Sequence, residues 1–186
     1  IKGTTGLEGN NLTFDEIAHI VDDAAASGQA RDNLAGSPPG EDVDSIEVRN
    51  AYDVQKFIRE APKPRDGITI VTEELIRELH RLSTKGVPSD RNSPGRYRSC
   101  AVLAGDYVPP EPSEVPSLMR QFVEFINSRA LTTGVGVLIR AVMAHFYLVS
   151  IHPFGDGNGR TARALEAFLM YQSGFNARGF YSLANF

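Results

Sequence analysis

The chain has 186 residues, room for one domain with a hydrophobic core. Its net charge of -4 argues against a general nucleic-acid binder, which carries a basic field. The single cysteine, Cys100, rules out an intrachain disulfide and fits a reducing compartment, so a cytoplasmic location is expected.

In chain order, Thr13-Phe14-Asp15-Glu16 is a capping-box pattern ahead of Ile17, Ile20 and Val21, and it predicts a helix over 14–27. Loop composition dominates through 36–40. A helix over 45–61 puts Ile46, Ala51, Val54, Phe57 and Ile58 near one face, and Pro62 and Pro64 stop it. Thr72, followed by Glu73 and Glu74, opens a helix over 72–82 with the stripe Leu75, Ile76, Leu79 and Leu82. A breaker-rich stretch, 86–95, leads into the one good strand candidate, 98–104. Gly105-Asp106 would turn it into 107–108 as a β-hairpin that ends at Pro109 and Pro110. A helix over 117–127 turns Leu118, Phe122, Val123 and Ile126 inward. The last unit is a helix over 138–151, a loop over 152–157 and a helix over 158–171. Its apolar stretch, interrupted by Arg140 and His145, is shorter than the roughly 20 residues that cross a bilayer, so no membrane partner is expected. The fold class expected is all-α, a helical bundle with a single β-hairpin.

The final loop carries chemistry. Gly155, Gly157 and Gly159 let the backbone turn tightly into a helix N-terminus, where unpaired N–H groups and the helix dipole favour a phosphate. Arg160 and Arg163 lie one turn apart and can fork onto phosphate oxygens. Asp156 stands where a carboxylate can meet a magnesium ion bridging phosphates. His152 at the loop entrance is a general-base candidate. A base, a metal carboxylate, an anion nest and two arginines describe a phosphate-transfer site, whereas an apolar connector needs neither Asp156 nor paired arginines.

The run His152-Pro153-Phe154-Gly155-Asp156-Gly157-Asn158-Gly159-Arg160 resembles the complete Fic signature, and Arg163 fits its extended form. The resemblance takes in the approach helix and the hairpin, over roughly residues 95–175. It implies a protein adenylyltransferase that moves AMP from ATP, with Mg²⁺, onto a Ser, Thr or Tyr hydroxyl of a target protein. By the same resemblance His152 deprotonates the hydroxyl and Asp156 holds the metal. Asn158 and the backbone of Gly155, Gly157 and Gly159 steady the α-phosphate, and Arg160 neutralises the outer phosphates with Arg163 beside it. The segment Arg98, Ser99, Cys100, Ala101, Val102, Leu103 becomes a flap that pairs with an extended stretch of target. Self-modification and a homodimer are further expectations.

The resemblance extends to a built-in brake. Thr4-Thr5-Gly6-Leu7-Glu8-Gly9 matches the family's Ser/Thr-x-x-x-Glu-Gly/Asn inhibitory pattern, which implies that Glu8 pairs with Arg163, with Thr4 and Gly9 framing it. The division expected is an N-terminal region over 1–35 with this motif and a catalytic core over 36–186. Relatives that transfer UMP, phosphate or phosphocholine supply the alternatives, together with AMP removal and a non-catalytic interaction module. The phosphate-transferring branch alters the positions of Gly157 and Gly159, both intact here. His19, His80 and His145 read as packed or surface histidines rather than ligands, and Phe122, Phe125, Phe146, Tyr147, Phe168 and Tyr171 read as core.

Overall fold

Side-chain caps open the first three helices. In the computed structural model, which describes residues 11–26, 42–65, 67–134 and 136–175, α1 (Phe14–Ala26) opens on the expected box. Thr13 N–H donates to Glu16 Oε2 at 2.8 Å while Glu16 N–H donates to Thr13 Oγ1 at 3.3 Å. Helix α2 (Val43–Glu60) begins two residues earlier than its apolar stripe suggests. Its cap is Asp42, which accepts from both the N–H and the hydroxyl of Ser45, each at 2.8 Å. Thr72 caps α3 (Glu73–Thr84) by accepting the Leu75 N–H. Helix α4 (Val115–Ile126) carries Pro116 in its first turn, where a missing N–H costs nothing. A five-residue π turn, Ala130–Gly134, leads into α5 (Val137–Ile151), and α6 (Asn158–Gln172) closes the described chain. Thr4, Glu8, Gly9 and the boundary at residue 35 lie outside the described residues.

Helices α5 and α6 form the central pair. Helices α2 and α3 pack across α6, and α4 packs against α5. Ile76, Leu79, Met119, Ile126, Leu148, Phe154, Leu165 and Leu169 are fully or almost fully buried between them. Phe122 and Phe168 join this core, but Phe125, Phe146 and Tyr147 do not. Those three sit at the surface of α4 and α5, where Phe125 and Phe146 each meet Tyr147 edge-to-face. Helix α5 is apolar on nearly every side, so periodicity could not say which side would meet α6. Among the described residues no helix is long and apolar enough to cross a membrane.

Among the described residues, the expected hairpin contains no strand. It is a turn closed by one antiparallel bridge, with Ala104 and Tyr107 exchanging N–H···O bonds of 3.0 and 3.1 Å. Gly105 has φ +61°, as the turn requires. The ladder goes no further because Pro109 and Pro110 lack N–H donors and Arg98 occupies the carbonyls of Cys100 and Pro110.

A buried cation pins the approach to α3. Arg140, 5% exposed, donates to the carbonyls of Ile126 and Thr69 and to Asn127 Oδ1. Asn127 in turn exchanges two hydrogen bonds with the Val71 backbone. Arg140→Ala strands these acceptors in the interior, and urea unfolding is expected to record a loss of about 3 kcal/mol or more. Arg140→Met, which keeps the packing of the stem, recovers part of it.

Candidate active site

The site begins where α5 ends. His152 is the one described non-glycine residue with positive φ (+51°, ψ +58°), a conformation that costs about 1–2 kcal/mol. The next residue, Pro153, also disfavours a helical conformation at His152. The surroundings hold the shape. His152 N–H donates to Leu148 O at 2.9 Å, Arg98 Nε donates to His152 O at 2.7 Å, and Arg98 N–H donates to Pro153 O at 2.9 Å. On the ring, Nδ1 lies 3.2 Å from Val149 O, which assigns the proton to Nδ1 and leaves the Nε2 lone pair uncommitted. Burial, aided by the nearby Arg98 charge, holds the imidazole below its ordinary value of 6.5. It is therefore a neutral base at neutral pH.

The loop then dives into the core. Phe154 is fully buried and stacks on His80 with ring centres 3.7 Å apart and planes within 3°. His80, also 0% exposed, uses both nitrogens: Gly95 N–H donates to Nδ1 at 2.8 Å, so Nε2–H donates to Asp156 O at 3.0 Å. Asn158 Oδ1 and Nδ2 exchange 2.9 Å bonds with the Phe154 backbone N–H and carbonyl. Asn158 is 2% exposed, and its side chain holds the loop.

Two glycines are demanded by contact. A Cβ at Gly155 would lie 1.8 Å from Arg91 O, and one at Gly157, where φ is +72°, would lie 2.3 Å from Thr84 Cγ2. Gly159 sits in the first turn of α6, whose N-terminus has no side-chain cap and no acidic residue in its first turn. Its leading N–H groups and dipole make an anion-binding end. Asp156 Oδ1 accepts the Gly157 N–H at 2.6 Å and lies 3.6 Å from Arg160 Nη2. The Asp156 side chain remains 41% exposed. Arg160 donates to Glu47 Oε1 at 2.9 Å, both side chains being 11% exposed, and Arg163 follows half-buried on the same helix.

The flap residues divide. Arg98 points inward, with its guanidinium on backbone carbonyls, so its side chain does not face a target. Val102 is buried too, while Ser99, Cys100, Ala101 and Leu103 are exposed. Tyr107 Oη donates to Ser150 O and ties the flap's far arm to α5.

Sequence reasoning missed Glu47. It read His80 as a packed or surface histidine, and the residue is packed here, but without foreseeing its bonds to Gly95 and Asp156. The signal available for His80 was its place among Ile76, Leu79 and Ser83 on the buried face of α3, and that for Glu47 was its place beside Ile46, Val48 and Asn50 on α2. Burial lowers the His80 pKa to about 4. An unfolded chain therefore takes up a proton near pH 6.5 that the folded one refuses until about pH 4, so stability falls across that window. At about 1.36 kcal/mol per unit the His80 share is about 3 kcal/mol. Chemical denaturation at pH 7 and pH 4.5 is expected to show a smaller drop for His80→Gln than for wild type.

Known proteins resemble this chain in sequence and fold. The family model described as "Fic/DOC family" matches residues 70–170. "Protein adenylyltransferase Fic" of Drosophila erecta is 32% identical over 176 residues, which are 94% of this chain and 32% of that protein. The chain thus spans about a third of the length of such relatives. Among solved structures, Fic-1 (residues 134–508) from C. elegans superposes with a TM-score of 0.70 at 28% identity, covering 92% of this chain and 46% of that one. A Fic domain containing signaling protein from Bacteroides thetaiotaomicron gives 0.70 at 27% identity, over 92% and 60%. With more than half its length matched by the family model, and with His152 through Arg160 laid out as a base, a buried anchor and an open helix N-terminus, the chain belongs to the Fic/DOC family.

Proposed function

We propose that this chain transfers AMP from ATP to a Ser, Thr or Tyr hydroxyl of a target protein. The observation that carries the reading is a single gripped loop with the lone pair of a neutral imidazole at its start and an uncapped helix N-terminus at its end. The relatives named protein adenylyltransferase support the choice of reaction.

His152 Nε2 takes the proton as the target oxygen forms its bond to the α-phosphorus. The bond from that phosphorus to the bridging oxygen breaks, and pyrophosphate leaves with the electron pair. The leading N–H groups of α6 hold the phosphate oxygens, and Arg160 meets the charge that builds on the leaving group. Glu47 fixes the Arg160 guanidinium from behind, so the charge stands in place before the nucleotide arrives.

The residues present fit magnesium. Asp156 offers a hard, partly exposed carboxylate, and among the described residues no cluster of three His, Cys, Asp or Glu forms a cage. One carboxylate completed by substrate phosphates is the arrangement magnesium favours. When bound there it would supply charge neutralisation across the phosphates.

The target docks by strand addition along the exposed side of 99–103, which would bring its hydroxyl toward His152. Thr4, Glu8 and Gly9 form the brake: Glu8 competes for Arg163 and turns the α-phosphate out of line. The exposed Cys100 suits a reducing compartment, and we assign the protein to the cytoplasm.

Incubation with Mg²⁺ and α-labelled ATP tests the reading. Label on protein is expected to rise at least about tenfold with Glu8→Gly and to fall about 10²-fold or more when His152→Ala is added. Bound ATP with no label in any variant would turn the assignment to a binding-only module or another nucleotide. The pH profile of the Glu8→Gly protein should rise with pH along an acid limb that breaks below 6.5, because the base must be neutral and burial depresses its pKa. A profile without an acid limb, or one that His152→Ala leaves unchanged, would remove His152 as the base.

A further inference from the structure

The contacts of His80 reach past packing. One nitrogen accepts from Gly95 N–H, at the root of the flap, and the other donates to the carbonyl of Asp156. Its face stacks on Phe154, the anchor of the same loop. The ring is wholly buried, sits on the rigid α3 helix, and has Thr84, one turn further, pressed against Gly157. The His80 bond fixes the carbonyl of the Asp156–Gly157 peptide, and the N–H of that same peptide donates to Asp156 Oδ1 at 2.6 Å, so the carboxylate is held against a peptide plane that His80 anchors.

We propose that His80 is a positioning residue for the transfer reaction, holding the Asp156 peptide so that its carboxylate faces the nucleotide phosphates while holding the flap root at Gly95. It touches neither substrate nor metal. The role resembles that of partners which orient metal-binding side chains from behind, whose removal typically costs 10–100-fold in affinity or rate. One ring thereby couples the two halves of the site, because a shift of the flap at Gly95 is felt at Asp156 through a single aromatic plane. The inference rests on the reading of Asp156 as the magnesium carboxylate.

Two amide variants separate the bonds. His80→Asn places an acceptor near the position of Nδ1 and keeps Gly95, but is too short for Asp156. His80→Gln reaches the Asp156 carbonyl with its amide N–H. ATP binding is measured by calorimetry with EDTA and across a magnesium series, and label transfer is measured in the Glu8→Gly background. Both variants are expected to melt cooperatively and to bind ATP in EDTA within about twofold of the parent. The magnesium-dependent gain in affinity should fall about 10–100-fold for His80→Asn and recover toward the parent for His80→Gln. In transfer, kcat should follow the same order with KM for the target unchanged.

A folded His80→Asn with the parent's magnesium response, or equal losses in the two variants, would overturn the proposal. A parent protein whose ATP binding ignores magnesium overturns the assignment of Asp156 and this inference with it. A parent that responds to magnesium but transfers no label defeats the transfer reading alone, and the calorimetry then decides the role of His80.

Discussion

The stack of His80 on Phe154, with the hydrogen bond from His80 to the Asp156 carbonyl, is the contact on which the rest of the site depends. It roots a glycine-rich loop in the core, where an unsupported one would sample many shapes at a conformational entropy cost of about 1–2 kcal/mol per ordered residue. Around it five of the six carbonyls from His152 to Gly157 are taken by protein donors. Arg98 holds His152 and Pro153, Asn158 holds Phe154, His80 holds Asp156, and Thr161 holds Gly157. With the acceptors committed inward, the leading N–H donors of α6 are left at the mouth. The positive character of the site thus follows from where the negative ends of the peptides were spent.

Charged groups in this fold set direction more than they add stability. A buried ion pair usually recovers little beyond its desolvation cost, so the value of Glu47 on Arg160 lies in fixing a guanidinium on α6 from a helix far away in sequence. The bond between His145 and the buried Glu166 ties α5 to α6 in the same way, and Arg140 stitches the segment before α3 to the end of α4. These ties lock the relative placement of the helices that carry His80, His152 and Arg160. Functional geometry here tolerates little play, since misplacement of about 1 Å in a reacting group can cost about 10²-fold in rate.

The strained backbone at His152 belongs to the same account. A left-handed histidine ahead of a proline persists only where its neighbours over-determine it, as Leu148 O and Arg98 do. The reward is a sharp exit from α5 that leaves the imidazole lone pair at the loop entrance. Arg98, expected among the target-binding residues of the flap, is spent on this task, and with Pro109 and Pro110 it keeps the flap from extending its ladder.

The sequence by itself determined the local facts. Thr13, Thr72 and the glycines mark helix starts and tight turns because side-chain caps and positive φ act within a few residues, and the dense run from His152 to Arg160 carries its chemistry in consecutive positions. Tertiary structure alone decided what lies behind that run. That Gly155 must be bare because Arg91 O lies against it, that His80 is a brace, that Glu47 meets Arg160, and that Phe146 faces outward from an all-round apolar helix depend on residues tens of positions apart. Periodicity says which side of a helix is apolar, but only packing says which neighbour that side meets, and a buried polar residue has no meaning until its partner arrives.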